Sequence, residues 1–303
     1  MENLSKPTQR QLKLAWAAFA GVCFLWGTTY LGIRIGVASF PPMLFSLTRL
    51  LIAGLIFFIL FLRENSIRAL SRNQIIGHSI AGGLLFSLGN GLVSVAEVHI
   101  SSSLAAIISS MIPVWIVLLN MLLNKAEFPG LKVIAGTLIG VAGIVVIFGG
   151  QIGFDQQEVR NGALLMFIAG LGWAAGSILI KRLNEPISVT GAATFQMLGG
   201  GLILLPFSLV TEDWSSLNPS QESILALAYL IVFGSILAYI CFLYAMRHLP
   251  VTVVSMYAYI NPIVALIVGW LLLGEPLSLR IMFGVMITLA GVVIVNNQFP
   301  NKD

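Results

Sequence analysis

Ten long apolar runs divide the chain, with short polar stretches between them: Leu12–Gly36, Met43–Leu62, Gln74–Ala96, Ser102–Leu123, Lys132–Gly149, Gly162–Ile180, Thr190–Leu209, Glu222–Met246, Thr252–Leu273 and Leu279–Val295. A bilayer core takes about 20 consecutive apolar residues of α-helix, and most of these runs meet that length. The fifth and tenth are the shortest. Apolar residues are continuous within each run rather than alternating, which predicts helices and argues against a barrel of roughly ten-residue alternating strands. The expected fold is all-α: a polytopic membrane protein of ten transmembrane helices. Met1 to Lys13 is polar and basic, and the stretch from Leu14 is too long for a cleaved leader, so the first helix is expected to persist.

Composition agrees with this pattern. Only 9% of the 303 residues are charged and 58% are hydrophobic, against roughly 25% charged in an ordinary soluble domain. The net charge of +4 would suit a nucleic-acid partner if the basic residues formed a patch. They sit instead in the short connections, where they orient a membrane protein. With a cytoplasmic N-terminus, 12 of the Lys and Arg residues fall in inner connections. Three (Arg34, Arg160 and Arg280) fall in outer ones, and Arg49 lies inside a run. Both termini are therefore expected in the cytoplasm, with the chain in the plasma (inner) membrane. The expected partners are the lipid bilayer and a small-molecule substrate, with no nucleic acid and with the protein monomeric.

The two halves, 1–150 and 151–303, align at a nearly constant offset. Trp26 falls opposite Trp173, His99 opposite His248, Pro113 opposite Pro262, Glu127 opposite Glu275, and Gly143 opposite Gly291. Each half carries five runs, an odd number, so the second copy enters the membrane from the opposite side. Two inverted five-helix repeats predict the paired half-gates that alternating access uses.

Several of these residues carry a resemblance. Phe24-Leu25-Trp26-Gly27, Pro41-Pro42 followed by Arg49, Ala105-Ala106 with Pro113, Leu273-Gly274-Glu275-Pro276, and the closing Gly284 and Gly291 together resemble the EamA family of the drug/metabolite transporter superfamily. The resemblance covers nearly the whole chain. It implies a ten-helix carrier with cytoplasmic termini, in which helices one to four and six to nine surround a central cavity while five and ten brace the bundle. It also implies export of amino acids, related metabolites or drugs. The first half departs from the pattern at Lys125-Ala126-Glu127-Phe128, where the second half has its Gly-Glu-Pro turn.

Polar residues inside spans are costly and mark candidate function. Arg49 is the sharpest, because its guanidinium can meet a carboxylate through two parallel hydrogen bonds. Two other readings are open for it: pairing with Glu97, or snorkelling to the interface. Its repeat partner is Gln196. Asn90 and Ser94 in the third run are further candidates. Asn261 is another, unless it serves the backbone freed by Pro262. Tyr239, Tyr257 and Tyr259 either line a site or belong to an interface belt. Trp26 and Trp173 are too deep for a belt, which leaves cavity lining or core packing. Pro113 and Pro262 are candidate hinges.

Neither Cys23 nor Cys241 has metal-ligand spacing, and no glycine loop suited to cradling phosphate appears, so neither a cofactor nor ATP is expected. No Asp or Glu falls near the middle of a run, which leans towards facilitated transport over tight proton coupling. The expected function is a secondary carrier of small organic metabolites, exporting amino acids or related compounds. The alternative is a membrane-embedded enzyme acting on lipid or isoprenoid substrates. Such enzymes carry Asp, Glu and His clusters at the membrane face, and this chain shows none.

Overall fold

The computed structural model describes residues 8–64, 70–123, 131–148, 156–183, 187–249, 254, 257–275 and 277–296. Glu127, the start of the ninth expected run at Thr252 and the end of the fifth at Gly149 lie outside the described residues. Among the described residues the regular structure is helical and no strand occurs. The helices are α1 (Gln9–Gly36), α2 (Pro42–Leu62), α3 (Arg72–Ala96), α4 (Ser102–Leu123), α5 (Leu131–Phe148), α6 (Gln157–Leu183), α7 (Val189–Thr211), α8 (Gln221–Met246), α9 (Tyr257–Leu273) and α10 (Leu279–Asn296). Seven of them are long and apolar enough to cross a membrane. The apolar stretches of α5, α9 and α10 (Ile134–Ile147, Ile260–Leu273 and Leu279–Gly291) are shorter. All ten expected runs contain a helix, and among the described residues seven have the length and apolarity of a membrane span.

The helix ends follow local chemistry. Thr8 and Ser71 form capping boxes with Gln11 and Gln74, and Ser101, Ser188 and Ser220 each accept a backbone N–H in the first turn of the helix that follows. Pro42 opens α2, where its missing N–H costs nothing. Two caps come from distant sequence. The Glu212 carboxylate accepts from Met43 N (2.6 Å) and Leu44 N (2.8 Å) at the start of α2. The Glu275 carboxylate accepts from the backbone N–H and hydroxyl of both Ser102 and Ser103 at the start of α4. Gly274, at φ +64°, makes the left-handed turn that aims Glu275 there.

Packing pairs elements across the halves. α5 lies on α10 and α2 on α7; α1 packs on α8 and α9, while α6 packs on α3 and α4. Under the sequence offset these pairings map onto one another. In lipid, helices associate by close packing and small residues rather than by hydrophobic burial, and α5 and α10 do so through Gly136, Gly140, Gly143, Gly284 and Gly291. Exposed Leu55, Leu138, Leu164, Leu202, Phe207 and Leu272 face outward, as in a lipid-facing surface.

Both α3 and α8 change to π-helix in mid-course, over Gly83–Gly91 and Leu230–Leu237. The two stretches stand at matching positions of the halves. A π-turn leaves backbone groups out of the regular ladder and is common at functional sites.

Candidate functional site

The α3 π-stretch lines a cavity of about 60 Å³ in the middle of the bundle, and the α8 π-stretch stands behind two of its lining residues, Trp26 and Arg49. α1 contributes Trp26, Thr29, Tyr30 and Ile33, one stripe of that helix at helical spacing. α2 contributes Arg49, α3 Gly89, Asn90 and Val93, α4 Ser109 and Ile112, α6 Ala169, Gly170 and Trp173, and α9 Tyr257 and Asn261. Among the described lining residues Arg49 is the only charged one.

Arg49 is buried, 5% exposed, so its guanidinium does not reach the interface. Its Nε donates to Ser235 Oγ at 2.7 Å, in the α8 π-stretch. The charge of Glu97 acts on it, but both Glu97 carboxylate oxygens are without a hydrogen-bond partner, so the two do not form a bonded pair. Arg49 lines the cavity beside its bond to α8.

The matched tryptophans meet. Trp26 and Trp173 stand edge to face with centroids 5.6 Å apart, and Trp26 also stands edge to face with Tyr257 at 5.0 Å. Trp26 Nε1 donates to Gly234 O at 3.1 Å, fixing its ring to the α8 π-stretch. Phe86, Tyr239 and Phe242 continue the aromatic cluster behind these rings. Such walls suit solutes with flat or apolar parts, with Arg49 as the polar anchor.

The other residues singled out in the sequence are placed differently. Gln196 does not line the cavity. Its amide accepts from Tyr239 OH and meets His78 Nδ1 at 2.9 Å, in a buried hydrogen-bond chain behind the aromatic cluster. Tyr239 belongs to that chain. Ser94 Oγ pairs with Ser46 Oγ at 2.7 Å, joining α3 to α2. Asn261 lines the cavity. With its amide turned so that nitrogen donates, it bonds Cys23 O and Tyr257 O, each at 3.0 Å. Neither is the Ala258 carbonyl, which Pro262 leaves without its i−4 donor. Tyr259 lies on α9, and its side chain is outside the described residues.

The two matched prolines differ. α4 is interrupted at Ser110 and Met111, and Pro113 sits in the first turn of the segment that resumes at Ile112. Pro262 lies within α9, which runs on through it.

Sequence reasoning passed over Tyr30, Thr29 and Ser109. Tyr30 and Ser109 both line the cavity. Tyr30 lies one helical turn from Trp26, a spacing that would have placed it on the same face.

A second, outer recess is a groove between α1, α8 and α9. Phe24, Leu31 and Leu272 form its apolar wall, and Arg34, His99 and Glu275 its polar end.

The family model described as "EamA-like transporter family" matches residues 13–149 and again 160–297. The chain is 32% identical over 303 residues to the Escherichia coli (strain K12) protein named "Uncharacterized inner membrane transporter YedA", covering 97% of this chain and 95% of the relative. The Bacillus subtilis (strain 168) protein named "Uncharacterized transporter YvbV" is 25% identical over 299 residues, 98% of this chain and 94% of its own length. One solved crystal structure superposes with a TM-score of 0.66 at 18% identity, over 95% of this chain and 99% of that chain, a likeness of fold alone.

Proposed function

Because the chain belongs to the EamA-like transporter family, we propose that it is a secondary carrier that exports amino acids or related small metabolites by alternating access. That it is a multi-pass membrane transporter follows from the family and the named relatives. The solute, its direction and the mechanism are the proposal.

One observation carries it: a central cavity whose only described charge is Arg49, facing an aromatic wall built from the two repeat-matched tryptophans. A guanidinium in a low-dielectric pocket is a receptor for a carboxylate. The adjoining aromatic surface takes the rest of a small amphipathic solute. Trp26, Asn90, Trp173, Tyr257 and Asn261 are assigned to the solute's surroundings with Arg49. Gln196, Tyr239 and Ser94 are assigned to the frame.

The carrier is read as ten membrane segments in two inverted five-helix halves, with both termini cytoplasmic. Three features support this: the constant sequence offset, the reciprocal packing of α1 on α8 and α9 with α6 on α3 and α4, and the matched π-stretches. Glu212 and Glu275, from the second half, clamp the starts of α2 and α4 in the first. On this reading those clamps hold the outer side closed. Pro113, beside the break in α4, and Pro262 are the hinges.

The test is flux. Purified protein in liposomes moves labelled amino acids from a broad panel at rates well above empty vesicles. No flux of any of them in either direction, with or without a pH gradient, overturns the reading.

A further inference from the structure

Glu97, the first residue beyond α3, is 0% exposed, and neither carboxylate oxygen has a hydrogen-bond partner. Buried polar groups are nearly always satisfied, and an orphaned carboxylate is among the costliest groups a fold can bury. A residue kept only for packing would not need the charge. The repeat offset that pairs His99 with His248 places Met246 opposite Glu97, so the other half fills the equivalent position with an apolar side chain.

The location gives the orphan a use. Glu97 stands in the partition between the two recesses. On its outer side, Arg34 and Glu275 line the outer groove, and Arg34 Nη1 donates to the Glu97 backbone carbonyl. On its inner side, Val93, one turn back, lines the central cavity with Arg49 and Tyr30. The charged and titratable groups that face it are Arg34 and Tyr30 from α1, Arg49 from α2, and Glu275 from the turn after α9. His99, in the same α3–α4 connection, opens onto the outer groove.

We propose that Glu97 is the coupling group of the carrier, binding either the ammonium of a zwitterionic amino acid whose carboxylate is held by Arg49, or a proton taken from outside water. This rests on the carrier reading above and deepens it. Arg49 lines the cavity, Glu97 stands one turn beyond Val93 of the same lining, and its carboxylate is bonded to nothing, so the opposite charges of one small zwitterion satisfy both. A proton on Glu97 neutralises it and expels the ammonium. Burial, reinforced by Glu275 and opposed by Arg34 and Arg49, holds the carboxyl well above the usual carboxylate range. It therefore keeps a proton where an exposed glutamate would have lost it.

Competition at one carboxylate makes proton antiport. The outward-facing carrier releases the amino acid as Glu97 takes a proton from outside. The inward-facing carrier returns that proton to cytoplasmic water as the next amino acid binds. One proton enters for each amino acid that leaves, and no bond other than O–H forms or breaks.

The test uses wild-type and variant protein in liposomes with labelled alanine, leucine, threonine and phenylalanine, the membrane potential clamped. With the interior one pH unit more acid than the medium, the wild type accumulates the transported amino acid about tenfold, the ratio set by 1:1 exchange. Glu97→Gln, which removes both the proton site and the ammonium's partner, gives no accumulation in response to the pH gradient, while Glu97→Asp keeps the pH response. Wild-type counterflow with no response to pH overturns the inference and leaves the carrier reading standing. A Glu97→Gln protein that still accumulates tenfold does the same. Absence of counterflow for every solute overturns both. A second readout does not depend on the variant folding. Adding the transported amino acid to detergent-solubilised wild type in weakly buffered solution at a pH where Glu97 is protonated releases a proton, and no release contradicts the assignment.

Discussion

Arg49→Ala reduces the flux of carboxylate-bearing amino acids in liposomes at least about a hundredfold, while the protein remains folded and monodisperse. Removing one partner from a buried ion pair costs about 3–5 kcal/mol, and every 1.4 kcal/mol is a factor of ten in binding. Arg49 is 5% exposed and shares the cavity wall with no other described charge, so no neighbour replaces it. Arg49→Lys separates charge from geometry. It keeps the positive charge and loses the planar fork, together with the Nε donor that Ser235 receives. It is expected to recover only a minor part of the flux. Unchanged flux in Arg49→Ala would return this residue to a purely structural role as the tie between α2 and the α8 π-stretch.

Gly291→Ala is expected to disrupt the fold itself. A methyl group there would lie 2.7 Å from Gly140 Cα and closer still to the Gly140 nitrogen, so the obstacle is backbone that no rotamer change relieves. α5 and α10 must separate, and the close approach that holds them in lipid is lost. Overpacking in a tight interface costs about 1–3 kcal/mol even where side chains can adjust. Here the yield of monodisperse protein should fall several-fold and the thermal midpoint by several degrees. Gly274→Ala makes the contrast. Nothing lies within 4 Å of its added carbon, and only the positive φ resists, so its cost is about 1 kcal/mol. A Gly291→Ala protein as stable as the wild type would mean that α5 and α10 do not pack as described.

How far the sequence carried the structure differs from element to element. The apolar runs located the helices closely, since α10 begins at the expected Leu279 and α2 ends at the expected Leu62. Among the described residues the apolar parts of α5, α9 and α10 are shorter than those of the other helices. The constant offset paired Trp26 with Trp173, and the structure brings those two rings into contact. The same offset paired Arg49 with Gln196, yet only Arg49 faces the cavity. An offset reports equivalent depth, whereas each half rotates its own side chains onto different neighbours. The π-stretches left no periodic signature, only glycines at Gly83, Gly89, Gly91 and Gly234. Glu97 was discounted because it ends an apolar run, where an acid normally meets water. Arg34 instead bonds the Glu97 backbone carbonyl from α1, and burial there depends on such long-range contacts, which no local pattern encodes.

Alternating access predicts that one cavity position meets both aqueous faces in turn. Ser109 lines the central cavity and is 7% exposed. In a background carrying Cys23→Ala and Cys241→Ala, Ser109→Cys is exposed to a membrane-impermeant thiol reagent from the outside of intact cells and, separately, from the cytoplasmic side of inverted vesicles. The account predicts modification from both sides, slowed by the transported amino acid and no longer slowed once Arg49 is replaced by alanine. Modification from one side only, or from neither, would contradict it.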